Sequence, residues 1–186
     1  MLQYELLIRN EMSKVYYIHG YGSSLNSETL KKLRNFFPGT IGLTYDPLKP
    51  NESVQKLCSQ VLEEYDSNDF PTIIGSSLGG WYADQLTSSV AADFILYNPC
   101  ISPEISLVKH HLSMDVLNEY KSDKSSVVPR TIVLSMDDEV IDPIFTLAKY
   151  QSSNKIIKTS GGHRMTDENL TLIAQRAIYL QNQLTM

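Results

Sequence analysis

Short apolar segments typical of buried β-strands alternate with helical patterns along this chain of 186 residues. Strands rich in β-branched and aromatic residues are predicted at residues 15–19, 40–44, 71–75, 94–97, 131–136 and 155–158. Helices are predicted at about residues 27–36, 53–65, 78–88, 143–150 and 168–183. Strands that alternate with helices form βαβ units. The sequence therefore predicts an α/β fold, in which about six mostly parallel strands are covered by helices on both faces.

One segment breaks this alternation. Residues 101–128 lie between two predicted strands and are too long for an ordinary connection. Apolar residues between Leu107 and Tyr120 fall near helical spacing, which predicts a small helical cap inserted into the domain. No linker or internal repeat is evident, so we expect a single domain over residues 1–186.

The first residues, 1–13, form an N-terminal extension ahead of the first predicted strand. They are mixed in polarity and lack a small-residue cleavage site, so we do not expect a signal peptide. Met12 opens a segment that would be a natural start for this fold, and we expect that translation can begin there. No apolar run approaches the roughly 20 residues that a bilayer-spanning helix needs. We expect a cytoplasmic protein.

The charge balance argues against two classes of partner. The chain has 16 Lys and Arg against 21 Asp and Glu, a net charge of −5, and so lacks the basic stripe of a nucleic-acid binder. A basic membrane-surface helix is absent from the sequence too. Cys58 and Cys100 cannot form a disulfide framework or a Cys/His metal site, and we expect two buried thiols in a reducing compartment.

A nucleophile is predicted where the third strand meets the next helix. Residues 75–79 read Gly-Ser-Ser-Leu-Gly, a G-x-S-x-G pattern directly after a strand and directly before a helix. A sharp strand-to-helix turn exposes the central serine, and its flanking glycines allow close backbone approach. Ser77 is therefore the candidate nucleophile, while Ser76 occupies the x position and is expected to be a structural hydroxyl.

A nucleophilic serine needs a base, and the chain has four histidines. His19 precedes the serine, and His110 and His111 fall in the cap. This architecture orders its catalytic residues as serine, acid and then histidine. His163, in a glycine loop after the last strand, fits that order and is the candidate base.

The acid is expected in the turn after the fifth strand, where three aspartates stand close together: Asp137, Asp138 and Asp142. A carboxylate there would fix the imidazole tautomer and stabilise the imidazolium. Helix capping can use one of these aspartates.

An oxyanion hole is expected from two backbone N–H groups. One belongs to Leu78, the residue after the nucleophile, and the other to Tyr21 in the loop after the first strand. Gly20 would let that loop turn inward, and His19 would help to hold it.

Five segments occur in an order that matches one family. They are YIHGYGSS after the first strand, IGSSLGGWYA at the elbow, YNPCISP after the fourth strand, MDDEVID after the fifth and GGHRM near the end. With them the chain resembles, over about residues 14–180, the small bacterial YqiA/YcfP-type esterases. The resemblance implies a minimal α/β-hydrolase fold and a Ser-Asp-His esterase that acts on short acyl esters, or on acyl-CoA thioesters, without metal or cofactor.

The family register favours Asp138 as the acid. Adjacent residues leaving a strand point to opposite sides, so at most one of Asp137 and Asp138 can face the imidazole. Asp138 precedes Glu-Val as the family's aspartate does, whereas Asp137 takes the family's glycine position and is expected to point to water. Asn98 also matches the family, and we expect it to close the entrance to the cap.

The predicted function is that of a serine esterase with a small-molecule acyl ester or thioester as its partner. Two alternatives stay open, a serine peptidase or acyltransferase on the same scaffold and a catalytically silent binding module. Trp81, Tyr82 and the cap suggest an apolar pocket wall that favours small acyl groups, although both aromatic residues fit a core position equally well.

Overall fold

The fold is described by a computed structural model that covers residues 13–64, 70–121, 128–152 and 154–183. Met12, nearly all of the predicted N-terminal extension and residues 122–127 of the predicted cap segment lie outside these described residues. Within them, no helix is long and apolar enough to cross a membrane.

Six parallel strands form one sheet in the order β2-β1-β3-β4-β5-β6. The strands are β1 (Val15–Ile18), β2 (Ile41–Leu43), β3 (Thr72–Ser76), β4 (Asp93–Tyr97), β5 (Thr131–Ser135) and β6 (Lys155–Thr159). The predicted α/β-hydrolase fold is confirmed by this sheet and by its helical cover.

Helices cover both faces of the sheet. They are α1 (Glu28–Phe36), α2 (Pro50–Glu63), α3 (Leu78–Leu86), α4 (Pro103–Ser106), α5 (Met114–Glu119), α6 (Pro143–Tyr150) and α7 (Asp167–Gln183), with a 3-10 helix at Val108–His110. Apolar residues of α1 and α7 pack on one face, while those of α2, α3, α5 and α6 pack on the other. The side chains of β1 divide accordingly: Tyr17 joins the first core and Tyr16 the second, because successive strand residues point to opposite faces.

Most predicted element bounds agree with the structure to within two residues, and α2 is the main exception. It begins at Pro50, three residues before the predicted start. Proline suits the first turn of a helix, where its missing N–H would have no intrahelical partner. The predicted start, Ser53, is the next buried residue of this helix after Pro50.

The cap segment after β4 is attached to the core by aromatic residues. Tyr120, which follows α5, packs edge-on against Trp81 with ring centroids 4.9 Å apart. Its hydroxyl lies 3.2 Å from that of Tyr82 and donates to the carbonyl of Pro47 at 2.8 Å. Trp81 and Tyr82 are buried in the core and do not line the cavity beside Ser77, so the core position is the one of the two alternatives that the structure supports. They join the cap to α3.

The chain leaves β1 and β3 toward opposite faces of the sheet. After β1 it enters α1 on one face, and after β3 it enters α3 on the other. These two strands are neighbours. A crevice therefore opens at their carboxyl ends, which is where open α/β sheets bind ligands.

Close approach between α3 and β1 requires Gly79. A β-carbon at this position would overlap the carbonyl oxygens of Ile18 and His19, which are backbone atoms that cannot rotate away. We predict that Gly79→Ala lowers the free energy of unfolding by about 3 kcal/mol or more. Gly39→Ala is the matched control, because a β-carbon there meets nothing within 4 Å. Urea denaturation of both variants measures the difference, and equal losses would contradict the packing argument.

Candidate active site

Ser77 stands at the tight turn between β3 and α3, in a backbone conformation that L-residues rarely adopt (φ 53°, ψ −122°). Its N–H donates to the carbonyl of Tyr97 at 3.0 Å. Its carbonyl accepts from the N–H groups of Gly80 at 2.9 Å and Cys100 at 3.0 Å. These bonds hold a strained conformation, which costs about 1–3 kcal/mol. The serine side chain is half-buried at the crevice.

His163 lies opposite Ser77, with its Nε2 atom 3.0 Å from the serine Oγ. It follows two glycines with positive φ, Gly161 at 117° and Gly162 at 73°. Side chains are strained at such angles, so the glycine pair allows the loop after β6 to turn back toward the sheet. The structure thus brings together the predicted nucleophile and the predicted base.

Asp138 lies behind the imidazole, with its Oδ2 atom 2.8 Å from Nδ1 of His163. Its Oδ1 accepts from the backbone N–H groups of Val140 at 2.8 Å and Ile141 at 2.9 Å. Burial alone would raise the pKa of Asp138, but the hydrogen bonds from His163, Ile141 and Val140 outweigh it and hold that pKa below its ordinary value. The carboxylate stays ionised and faces the ring nitrogen that a catalytic acid must orient.

Asp137 holds the histidine loop. Its carboxylate accepts from the Ser135 hydroxyl at 2.7 Å and from the N–H groups of Gly161 at 3.0 Å and Gly162 at 3.1 Å. The expectation that this exposed side chain simply points to water is wrong, because the two glycine N–H groups turn toward it. Glu139 accepts from the N–H of His163 at 2.9 Å.

Asn98 ties the ends of two strands to this loop. Its backbone has a positive φ of 41° and its side chain is fully buried. The amide oxygen accepts from the N–H of Ser135 at 2.8 Å, and the amide nitrogen donates to the carbonyl of Gly162 at 3.1 Å. Asn98 therefore supports the histidine loop. The prediction that it closes the entrance to the cap is wrong.

The loop after β1 passes directly against Ser77, the predicted nucleophile. A β-carbon on Gly20 would lie only 3.2 Å from Cβ of Ser77, so the backbone just before Tyr21 runs beside the serine. Nδ1 of His19 donates to the carbonyl of Gly20 at 2.8 Å and thereby steadies this loop. Leu78, the other predicted oxyanion donor, is the first residue of α3. Both predicted N–H groups thus belong to segments that flank Ser77.

A cavity of about 470 Å³ opens beside Ser77 and His163. Its walls come from β1, the loop after β1, the start of α1, the carboxyl ends of β3 and β4, and the loop between β6 and α7. The lining is Tyr17, Gly20, Tyr21, Gly22, Ser23, Glu28, Thr29, Ser76, Ser77, Tyr97, His163, Arg164 and Met165. The described part of the cap contributes no residue to this lining. Many of the lining side chains carry hydroxyl groups.

The remaining candidate side chains lie elsewhere. His110 and His111 are exposed on the cap, where the ring of His110 packs against Tyr21 with centroids 4.4 Å apart. Cys100 is buried and Cys58 half-buried, and both are free thiols. Among the described residues, no three His, Cys, Asp or Glu side chains group in a way that could hold a metal ion.

Asp137 has a strongly lowered pKa, and this predicts a pH dependence. Hydrogen bonds from Ser135, Gly162 and Gly161 hold its pKa at about 2, whereas an unfolded aspartate titrates at about 3.9. A carboxyl whose pKa falls on folding stabilises the fold above the unfolded value, and that stabilisation is lost as the pH falls through the folded value. The difference in unfolding free energy between the protein and Asp137→Asn should be constant above about pH 5 and shrink from about pH 4 to pH 2.

The carboxyl ¹³C shift of Asp137 provides a direct measurement. We expect its titration midpoint near 2 in the native protein and a higher midpoint in Ser135→Ala, because that variant removes the largest of the three contributions. A midpoint near the free value of about 3.9 would contradict the contacts to the histidine loop.

Solved structures with the same fold are similar over nearly the whole chain. Alpha/beta hydrolase domain-containing protein 10 from mouse has a TM-score of 0.74 at 15% identity, covering 95% of this chain and 92% of that one. Est1E from Butyrivibrio proteoclasticus has a TM-score of 0.71 at 15% identity, covering 96% and 91%. Identities this low show a shared fold alone.

Proteins related by sequence have a higher identity to this chain than the two solved structures above. A UPF0227 protein from Vibrio vulnificus (strain CMCP6) is 26% identical over 141 residues, which is 69% of this chain and 77% of the relative. Another, from Shewanella sp. (strain ANA-3), is 24% identical over 138 residues, again 69% and 77%. The family model described as "Uncharacterised protein family (UPF0227)" matches residues 14–179. The resemblance inferred from the motifs is therefore confirmed, and the chain belongs to the UPF0227 family, which is of the YcfP/YqiA type.

Proposed function

We propose that this protein is a serine hydrolase that cleaves carboxylic esters or thioesters of small molecules. The observation that carries the proposal is the continuous contact from Ser77 through His163 to Asp138, with distances of 3.0 Å and 2.8 Å. A serine next to a histidine whose other ring nitrogen meets a carboxylate is the arrangement that activates a hydroxyl for acyl transfer. The α/β-hydrolase fold and the cavity beside the serine support the same conclusion.

The first half of the proposed reaction acylates the enzyme. Oγ of Ser77 attacks the acyl carbonyl while Nε2 of His163 takes the hydroxyl proton, and the carboxylate of Asp138 stabilises the imidazolium. The N–H groups of Leu78 and Tyr21 donate to the developing oxyanion. When the tetrahedral intermediate collapses, the C–O or C–S bond of the leaving group breaks and His163 returns the proton to it.

The second half restores the free enzyme. Water enters the site, His163 takes one of its protons, and the resulting hydroxide adds to the acyl carbonyl. The bond to Oγ of Ser77 then breaks, the acid is released and the proton returns to the serine. No step requires a metal or an organic cofactor, since acid–base groups and backbone donors supply every proton transfer and charge contact. Among solved structures of this fold is one named as the esterase domain of a Rhodothermus marinus protein, and by analogy with it we propose an ester as the substrate.

The nucleophile is tested by Ser77→Ala. We predict that this variant folds normally and loses ester turnover, keeping at most the residual catalysis of about 10³–10⁴ over water that an oxyanion hole and binding can supply. A fluorophosphonate probe should label the native protein and the control Ser89→Ala, which alters an exposed serine three residues after the end of α3, but should not label Ser77→Ala. Labelling that survives Ser77→Ala would move the nucleophile to another serine, with Ser76 as the first candidate.

The acid is tested by comparing two neighbouring aspartates. We predict that Asp138→Asn lowers turnover by about 10⁴, because the amide presents its N–H group to Nδ1 and favours the wrong imidazole tautomer. Asp137→Asn should cost less than about tenfold, since its remaining oxygen can still accept from a glycine N–H of the histidine loop. Steady-state kinetics on folded, purified variants measure both. The reverse ranking would assign the acid to Asp137.

A further inference from the structure

We propose that the cavity beside Ser77 binds a hydroxyl-bearing part of the substrate, so that the protein prefers esters with a hydroxyl group in the acyl or the alcohol portion. This inference rests on the proposed ester hydrolysis. It concerns the side chains of Tyr17, Thr29 and Ser76, to which the proposed reaction gives no role, and all three line the cavity.

Two of the hydroxyl groups that line the cavity are hydrogen-bonded to each other. The Tyr17 hydroxyl lies 2.9 Å from Oγ of Ser76, the residue directly before the nucleophile. The Thr29 hydroxyl, at the start of α1, is a further partner of Tyr17. Burial raises the pKa of Tyr17, so its phenol keeps its proton and can donate at any pH near neutrality.

These hydroxyl groups keep hydrogen-bonding capacity for a ligand. Each hydroxyl can donate one hydrogen bond and accept two. Contacts of Tyr17 with Ser76 and with Thr29 use only part of the three protons and six lone pairs that the cluster carries. A hydroxyl group of the substrate can both donate to this cluster and accept from it. An alkyl chain would displace water from the hydroxyl groups without replacing its hydrogen bonds, and this costs free energy.

The charges around the cavity favour a neutral polar ligand. Glu28 and Arg164 line the cavity and are both exposed, so one charge of each sign faces solvent there. Glu28 is also paired with Lys31 at 2.7 Å. Because both side chains are exposed, solvent screens their charges, and neither gives the cavity a strong preference for a charged ligand. The less exposed part of the lining carries hydroxyl groups, which can recognise a hydroxyl group of the substrate.

The preference is measured with isosteric pairs of esters. For the acyl portion, nitrophenyl 3-hydroxybutyrate is compared with nitrophenyl 3-methylbutyrate, in which a methyl group replaces the hydroxyl. For the alcohol portion, 2-hydroxyethyl butyrate is compared with propyl butyrate. We expect kcat/KM in one of these pairs to favour the hydroxylated ester by about tenfold, and the pair that shows it identifies the portion that enters the cavity.

The cluster is tested with matched tyrosine variants on one strand. Tyr17→Phe removes the cavity hydroxyl and should reduce the preference about five- to tenfold while hydrolysis of the methylated ester continues. Tyr16→Phe removes a hydroxyl from the adjacent residue, which packs on the opposite face of the sheet, and should leave the preference unchanged. Thr29→Val, at the solvent-accessible start of α1, provides a second cavity variant that does not alter the sheet.

Each outcome decides the inference. A preference in the native protein that falls in Tyr17→Phe or Thr29→Val, but not in Tyr16→Phe, supports it. Equal kcat/KM within both pairs, or a preference that neither cavity variant changes, would overturn it and leave the proposed hydrolysis intact. Failure to hydrolyse any of the four esters, together with no fluorophosphonate labelling of Ser77, would overturn the proposed function and this inference with it.

Discussion

The strained backbone of Ser77 is the constraint on which the rest of the site depends. A φ of 53° turns the chain sharply from β3 into α3, and it is held by bonds to backbone atoms of Tyr97 and Cys100. Those two residues flank Asn98, which also has a positive φ and supports the histidine loop. The end of β4 thus holds Ser77 on one side and the loop of His163 on the other. Displacing it would separate Ser77 from His163.

Three consecutive acidic residues hold His163 and its loop, and each makes a different contact. Asp137 binds the N–H groups of the glycine pair, Asp138 binds the imidazole, and Glu139 binds the N–H of His163. Where backbone N–H groups face solvent, an ionised carboxylate can accept from them at little cost in desolvation free energy. Such a charged acceptor also forms stronger hydrogen bonds than a neutral one. The arrangement fixes both the backbone and the ring of His163 with residues from a single turn after β5.

The sequence was sufficient for the parts of this structure that depend on local pattern. Strand bounds follow from apolar runs, and the G-x-S-x-G turn with its flanking elements predicts Ser77 at an elbow. The role of Asp137 was missed because it depends on N–H groups 24 and 25 residues away, whose direction is set by two positive φ angles. A doubled glycine followed by histidine was the available signal, since such a loop leaves N–H groups that need acceptors.

Cavity position was the other feature that local pattern could not provide. The aromatic residues after Ser77, together with the cap, suggested an apolar pocket wall, but the helix turns Trp81 and Tyr82 into the core on the face that the cap covers. The crevice opens instead toward α1, because the chain leaves β1 and β3 on opposite faces. Because side chains alternate along a strand, Tyr17 is the residue of β1 that faces the α1 side of the sheet, where the crevice lies. Its hydroxyl reaches Ser76. A shift of one residue that placed Ile18 there would remove this hydroxyl from the cavity. The contribution of β1 to the polarity of the cavity therefore depends on the register of that strand.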